Sequence, residues 1–319
     1  MTRELVLTGL DGSTPLGFLA AVGVLCVAED RARRDGVPSP GLAWRDTSRW
    51  NPVVRSPWDP DGLVAVLDQD REEWREEPAL TFAYTKEGVR TASDTKGAIR
   101  DLKPSPAVMR AFLAEMAERA LCGDLRSARH AAAYGTDVVV DGKGNSKPTT
   151  LHFTAGHQTF LGAAAGLREA SGSDRLREAC FGPWKPVPGV RSLGWDTLAA
   201  TSARPYALRA SDPSGDERPC VPGAEWLAFR ALGTLAVVPR RGEVRTPCVR
   251  GRWKSASFAW PLWTGFIGVR VVESLLRTPD LDETEAEARR ARGIAVVFEA
   301  SIERSDQGGY GSFSPARAL

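Results

Sequence analysis

The residues of this chain with the clearest chemical potential are basic, and they occur in two clusters. The first cluster lies in a polar stretch entered through Phe82 and Tyr84, and it consists of Lys86, Arg90, Lys96, Arg100 and Lys103. The second cluster is denser and lies next to Trp253, and it consists of Arg240, Arg241, Arg245, Arg250, Arg252 and Lys254. Basic side chains neutralise phosphates, and aromatic rings stack on unpaired bases. We therefore predict that both clusters contact nucleic acid, with Phe82, Tyr84 and Trp253 as stacking candidates; a solvated surface loop is the alternative for each cluster.

A catalytic site has weaker support. His152 and His157 are five residues apart with a glycine between them, which differs from the helical His pair with an intervening Glu that zinc hydrolases use. The chain contains no GxSxG nucleophile motif, no phosphate-binding P-loop and no dinucleotide fingerprint. We assign no catalytic residue, no metal and no cofactor. A metal-dependent nucleic-acid-processing enzyme built on His152, His157 and Asp137 is kept as an alternative.

The composition is that of an ordinary globular protein. Among 319 residues, 42% are hydrophobic, and 42 Lys and Arg against 40 Asp and Glu leave a net charge of +2, which argues against a disordered or polybasic chain. The most apolar stretch, residues 16–28, is shorter than the roughly 20 residues that span a bilayer. Five widely spaced cysteines without a CxxC pair argue against a disulfide framework and a zinc site. We expect a cytoplasmic protein that has no membrane partner.

The elements that must position these residues are helices and strands in no regular alternation, which predicts an α+β fold. Thr14 and Pro15 are typical of a helix start, so we predict a buried helix over residues 16–34 that stops near Gly36. Residues 141–145 read as a turn between a strand at 138–141 and a partner strand at 149–154.

We divide the chain into three parts. Residues 1–180 form an N-terminal α+β domain that carries the basic loop 86–103. Residues 181–222, rich in Pro, Gly and Trp, form a connecting region, and residues 223–319 form a C-terminal α+β portion. One continuous domain is the alternative.

Several stretches resemble proteins of one kind of bacterial and archaeal defence system. LTGLDGSTPLGFLAAVGVL at residues 7–25, followed by Trp44 and Trp50, resembles the opening of large-subunit-like proteins of type I-G (formerly I-U) CRISPR systems. HFTAGHQTFL at 152–161, RPYALR at 204–209 and FSPAR at 313–317 look like motifs of an associated protein family from the same loci.

The resemblance implies a subunit or accessory of a CRISPR RNA-guided surveillance complex in antiviral defence, whose partners are guide RNA, target DNA and other effector subunits. In such complexes base pairing reads the target sequence, while protein subunits hold backbones and stabilise opened strands. The leading hypothesis is thus a non-enzymatic nucleic-acid-binding subunit. A pure assembly protein, whose apolar N-terminal helix packs on a partner, is a further alternative.

Overall fold

A computed structural model describes residues 2–85, 98–154, 158–197, 219–252, 255–278, 285–304 and 310–319, together with the backbone of residues 88–90. Helices and several small antiparallel sheets share these residues, so the prediction of an α+β fold is confirmed.

The first sheet and the first helix form a unit at the N-terminus. Its elements are β1 (Arg3–Val6), α1 (Pro15–Asp35), β2 (Gly41–Asp46) and β3 (Trp50–Ser56), and β3 is the central strand of the sheet. The α1 helix begins as predicted, because the Thr14 hydroxyl accepts a hydrogen bond from the Gly17 amide at 3.1 Å. It ends at Gly36, whose φ of 64° is a left-handed conformation that glycine adopts without strain.

Short helices and hairpins make up the middle of the chain. They are α2 (Pro60–Glu73), α3 (Pro78–Thr81), β4 (Ala83–Thr85), β5 (Gly88–Arg90), α4 (Pro106–Leu121), α5 (Leu125–Tyr134), β6 (Gly135–Val140), β7 (Ser146–Pro148), α6 (Phe160–Ala170) and α7 (Ser173–Phe181). The turn predicted at 141–145 joins β6 to β7. Its partner strand is wrongly predicted at 149–154: β7 ends at Pro148, and the Thr149 amide bonds instead to the Tyr134 carbonyl at 2.8 Å.

The C-terminal part contains a second, larger sheet. Its elements are α8 (Pro222–Ala231), β8 (Val238–Arg240), β9 (Glu243–Arg245), β10 (Val249–Arg250), β11 (Ser257–Trp263), α9 (Val269–Leu276), α10 (Ala286–Ala291), β12 (Ile294–Arg304), β13 (Gly311–Phe313) and β14 (Arg317–Ala318). The sheet order is β10-β11-β12-β13, with β14 also paired to β12, whereas β8 and β9 form a separate hairpin.

One large connected core joins the two ends of the chain. Phe18 of α1 contacts Trp44 of the first sheet at a ring-centroid distance of 5.8 Å and Trp260 of the second sheet at 5.9 Å. Among the described residues this core extends from Leu5 to Phe313, so side chains from residues 1–180 and from 223–319 are buried together.

The apolar surface of α1 is covered by its own chain. All of its residues from Pro15 to Ala28 are buried, and the helix packs along α8. This burial removes the expectation that the apolar face of α1 is left open for a partner. In the part of the chain that the structure describes, no helix has the length and apolar character needed to cross a membrane.

Candidate nucleic-acid interface

The second basic cluster is carried by two short hairpin arms that project from the core. Arg241 and Gly242 form the two-residue turn between β8 and β9, with φ of 51° and 73°, as a type I′ hairpin turn requires. The chain then crosses to β10, which pairs with the edge of β11. The β8–β9 hairpin pairs with no other strand among the described residues, and the side chains of Arg240, Arg241 and Arg245 are exposed.

One side of this hairpin lines an open hollow, here called the arginine depression, with a volume of about 640 Å³. Its basic side chains are those of Arg240, Arg241, Arg245, Arg250 and Arg277. No acidic residue lies among the described residues that line it. Of these arginines, Arg245 pairs with Glu243 at 2.9 Å, whereas Arg240, Arg241 and Arg277 form no ion pair with any described residue. The depression is therefore a concentrated and largely uncompensated positive surface.

Cys248 and Leu276 form part of the apolar floor of the arginine depression. Cys248 lines it in a left-handed conformation, φ 64°, and its Sγ donates to the Leu276 carbonyl at 3.4 Å. Burial raises the pKa of the Cys248 thiol to about 12, so the sulfur is an uncharged packing group. Leu276 at the end of α9 is buried as well, and it brings the adjacent Arg277 to the rim.

The other side of the hairpin lines a second hollow, here called the threonine cavity, with a volume of about 390 Å³. Four basic residues line it, Lys103, Lys147, Arg245 and Arg252, with two acids, Asp141 and Glu243. The three hydroxyls of Thr149, Thr150 and Thr246, and the side chain of His152, complete its polar lining. Arg245, Thr246 and Val249 line both hollows, so the two hollows share the segment that joins β9 to β10 as a common wall.

The wall formed by residues 149–152 is held from behind by buried groups. Arg304 of β12 donates to the Thr150 carbonyl at 2.6 Å and to the His152 carbonyl at 3.2 Å. Burial lowers the pKa of Arg304 to about 10. The indole N–H of Trp195 donates to the Leu151 carbonyl at 3.0 Å. These bonds fix the backbone of the wall, so the threonine hydroxyls keep their positions.

His152 is bound to a carboxylate that the sequence did not indicate. Its Nε2 lies 2.7 Å from Asp101 Oδ1, and the ring stacks on Phe160 at 5.6 Å. Burial raises the pKa of Asp101, but the hydrogen bond and charge of His152, with the amides of Phe160 and Leu102, outweigh it and lower that pKa below its ordinary value. The pair is thus an anchored polar contact on the cavity wall.

The structure divides the first basic cluster. Lys103 lines the threonine cavity, where it meets residues of the second cluster. Arg100 is turned toward the protein instead and donates to the Leu80 carbonyl at 3.1 Å. The side chains of Lys86, Arg90 and Lys96 lie outside the described residues.

Two of the three predicted stacking residues are in the core. Phe82 and Tyr84 are 4% and 6% exposed, and Phe82 stacks on Phe112 with a centroid distance of 4.1 Å. Their aromatic faces pack inside the protein and are inaccessible to bases. The prediction that Phe82 and Tyr84 stack on bases is therefore wrong. Trp253 lies outside the described residues, as does Lys254.

The residues of the alternative metal site do not meet where they are described. Asp137 forms an ion pair with Arg110 at 2.7 Å on the surface, whereas the carboxylate partner of His152 is Asp101. His157 lies outside the described residues. Over the described ranges no three His, Cys, Asp or Glu side chains are grouped as metal ligands would be.

Sequence reasoning missed several lining residues. Lys147 lies two residues after the predicted turn, and its basic charge was the available signal. Thr246 lies within the second cluster, but Arg277, Thr149 and Thr150 are far from it in sequence, so only the packing of the segments that follow α9 and β7 reveals them. No protein-family model, curated protein or solved structure matches the chain.

Proposed function

We propose that the chain is a non-enzymatic nucleic-acid-binding subunit of a CRISPR RNA-guided surveillance complex, and that the arginine depression binds the phosphate backbone of guide RNA or target DNA. The observation that carries the binding proposal is the convergence of five arginines in one hollow with no acid among its described lining residues. Arginine presents a planar fork of donors that matches phosphate oxygens.

The charge distribution supports a subunit that acts together with partners. The whole chain has a net charge of only +2, so its long-range attraction for a polyanion is weak. The positive surface is local, and a few phosphate contacts supply modest affinity by themselves. A complex that holds the same strand at other points would supply the rest. Assignment to a CRISPR complex, in the cytoplasm, rests on the resemblance of residues 7–25 and of the later motifs.

The binding proposal is tested by removing the three arginines of the depression that have no described ion pair, as R240A/R241A/R277A. Single-stranded RNA and DNA of about 20 nucleotides are titrated by fluorescence anisotropy over a series of salt concentrations. Each lost phosphate contact lowers the slope of log K against log salt by about 0.7 for single strands. We expect the triple variant to lose about two units of slope and to bind more weakly at low salt.

A matched control removes three exposed arginines elsewhere, as R33A/R34A/R75A. These arginines pair with acids on α1 and α2 or next to them, and their removal changes the net charge equally. Its salt slope should equal that of the native protein. Equal slopes for the depression variant and the control would refute the proposal that the depression holds backbone phosphates.

Membership of the complex is tested separately. The chain is co-expressed with the effector subunits and guide RNA of a type I-G locus, and the products are separated by sedimentation. Co-sedimentation with the RNA-bound complex is expected. A chain that sediments alone in the presence of an assembled complex would contradict the membership while leaving the binding result intact.

A further inference from the structure

We propose that the threonine cavity binds one phosphate-bearing nucleotide unit, either a free nucleoside monophosphate or a single residue of a strand that lies on the arginine depression. The second source rests on the proposed function, and the first does not. Four features of the cavity carry the inference: its unpaired cations, its available hydroxyl donor, its apolar strip and its volume.

Two cations of the cavity are available to a ligand. Lys103 and Lys147 are half-buried, line the cavity and form no ion pair with any described residue. The four cations outnumber the two acids that line the cavity. Asp141 accepts the amides of Lys143 and Asn145 at 2.8 and 3.0 Å within its own turn, and Glu243 pairs with Arg245. The uncompensated charge in the cavity is therefore positive and suits an anion.

The hydroxyls form a chain that ends in a donor. Thr246 Oγ1 lies 3.1 Å from Thr149 Oγ1, accepts the Thr150 amide at 3.0 Å and donates to Thr150 Oγ1 at 3.3 Å. A hydroxyl has one hydrogen to donate. The hydroxyl hydrogen of Thr150 has no acceptor among the described residues, so it is available to donate a hydrogen bond to a ligand oxygen. Thr149 and Thr246 are 1% and 3% exposed, which makes this chain a built part of the wall.

The size and the apolar lining indicate more than a bare phosphate. A volume of about 390 Å³ lies at the lower end of the range of about 300–1,000 Å³ that small-molecule sites occupy. Val140, Pro148 and Val249 supply apolar surface beside the cations. A planar base can pack on such a surface while its phosphate meets the lysines. The shared wall with the arginine depression lets one residue of a bound strand enter the cavity.

The experiment uses the full chain and probes of three kinds: inorganic phosphate, the four ribonucleoside 5′-monophosphates, and one oligonucleotide with and without a 5′-phosphate. Binding is followed by calorimetry for the small probes and by anisotropy for the oligonucleotides. We expect at least one monophosphate to bind more tightly than phosphate, and K103M/K147M to weaken that binding about tenfold because two charged donors are lost.

A second variant blocks the cavity without removing a charge, so that the test does not depend on the folding of K103M/K147M. Val140 lines the cavity and is half exposed, so V140W fills the space without disturbing the core. Val138, two residues earlier on β6, is exposed and is not among the cavity lining, so V138W is the matched control. V140W should abolish monophosphate binding, whereas V138W should leave it within about twofold of the native value.

The outcomes separate this inference from the proposed function. Monophosphate binding that is lost in V140W, with a native salt slope in R240A/R241A/R277A, supports the cavity and refutes the arginine depression. A 5′-phosphate that strengthens oligonucleotide binding only when Val140 is native identifies a strand end as the source. If no monophosphate binds, or if V140W and K103M/K147M bind monophosphates and both oligonucleotides as the native chain does, the cavity is not a nucleotide site.

Discussion

Glu225 provides a sharp test of how the wall behind the threonine cavity is held. Its side chain is fully buried on α8, and its two oxygens accept the Ser192 hydroxyl and the Leu193 amide, each at 2.6 Å. These bonds hold the segment that carries Trp195, which in turn bonds to the cavity wall. Burial is the largest influence on Glu225, and with the nearby charge of Asp196 it raises the pKa of Glu225 to about 7.

The sign of the pH dependence follows from this raised pKa. The ordinary value for the unfolded chain is 4.5. Between pH 4.5 and about 7 the folded protein holds a proton that the unfolded chain has released, so the free energy of unfolding falls as pH rises and levels off above pH 7. One pKa unit corresponds to about 1.4 kcal/mol. The carboxyl of Glu225 therefore costs the folded state about 3 kcal/mol at pH 8 relative to pH 4.5.

The assay compares urea unfolding of the native chain and of E225Q at pH 4.5 and pH 8. Glutamine is the uncharged isostere of the protonated acid. The free energy of unfolding of the native chain should therefore fall by about 3 kcal/mol relative to that of E225Q when the pH is raised from 4.5 to 8. E118Q, which changes an exposed glutamate on α4, is the control and should show no such change. A native-to-E225Q difference that is the same at both pH values would refute the raised pKa.

Two further predictions concern the core, and the same unfolding assay measures both. D70N should lower the free energy of unfolding by about 3–5 kcal/mol, because the buried Arg230 pairs with Asp70 at 2.7 Å and would be left without that partner. D70L/R230M, which removes both charges, should recover most of this loss. Equal stability of the two variants would contradict this account. G23A should lower the free energy of unfolding by about 2–3 kcal/mol, because a Cβ at Gly23 would overlap the Leu227 carbonyl of α8. G166A is the control and should not destabilise the chain, because nothing lies near the new methyl group.

Local signals were sufficient where an element is specified by neighbours in sequence. The α1 helix starts and stops where Thr14, Pro15 and Gly36 predict, because capping and left-handed glycine are properties of a few adjacent residues. The turn at 141–145 is where its Asp and Gly residues place it. The α+β class also followed from the mixture of such elements.

Local signals failed where burial or pairing depends on distant parts of the chain. Phe82 and Tyr84 stand beside basic residues in sequence, but the packing of α4 against them takes their rings into the core. The residues after Pro148 have the composition of a strand. Their amides nevertheless bond to other groups, that of Thr149 to the Tyr134 carbonyl and that of Thr150 to the Thr246 hydroxyl, and so they are not paired with a neighbouring strand. A pattern of residue types cannot indicate which distant group will be the nearer acceptor.

The sequence by itself determined which residues carry positive charge and where α1 begins and ends, since both depend on residue type and immediate neighbours. Only the tertiary structure decided that Lys103 joins Arg245 and Arg252 around one cavity, that Arg277 completes the arginine depression, and that Asp101 is the partner of His152. The physical reason is distance. These residues are separated by tens to more than a hundred positions, and the packing of the segments that carry them around a common core brings them together.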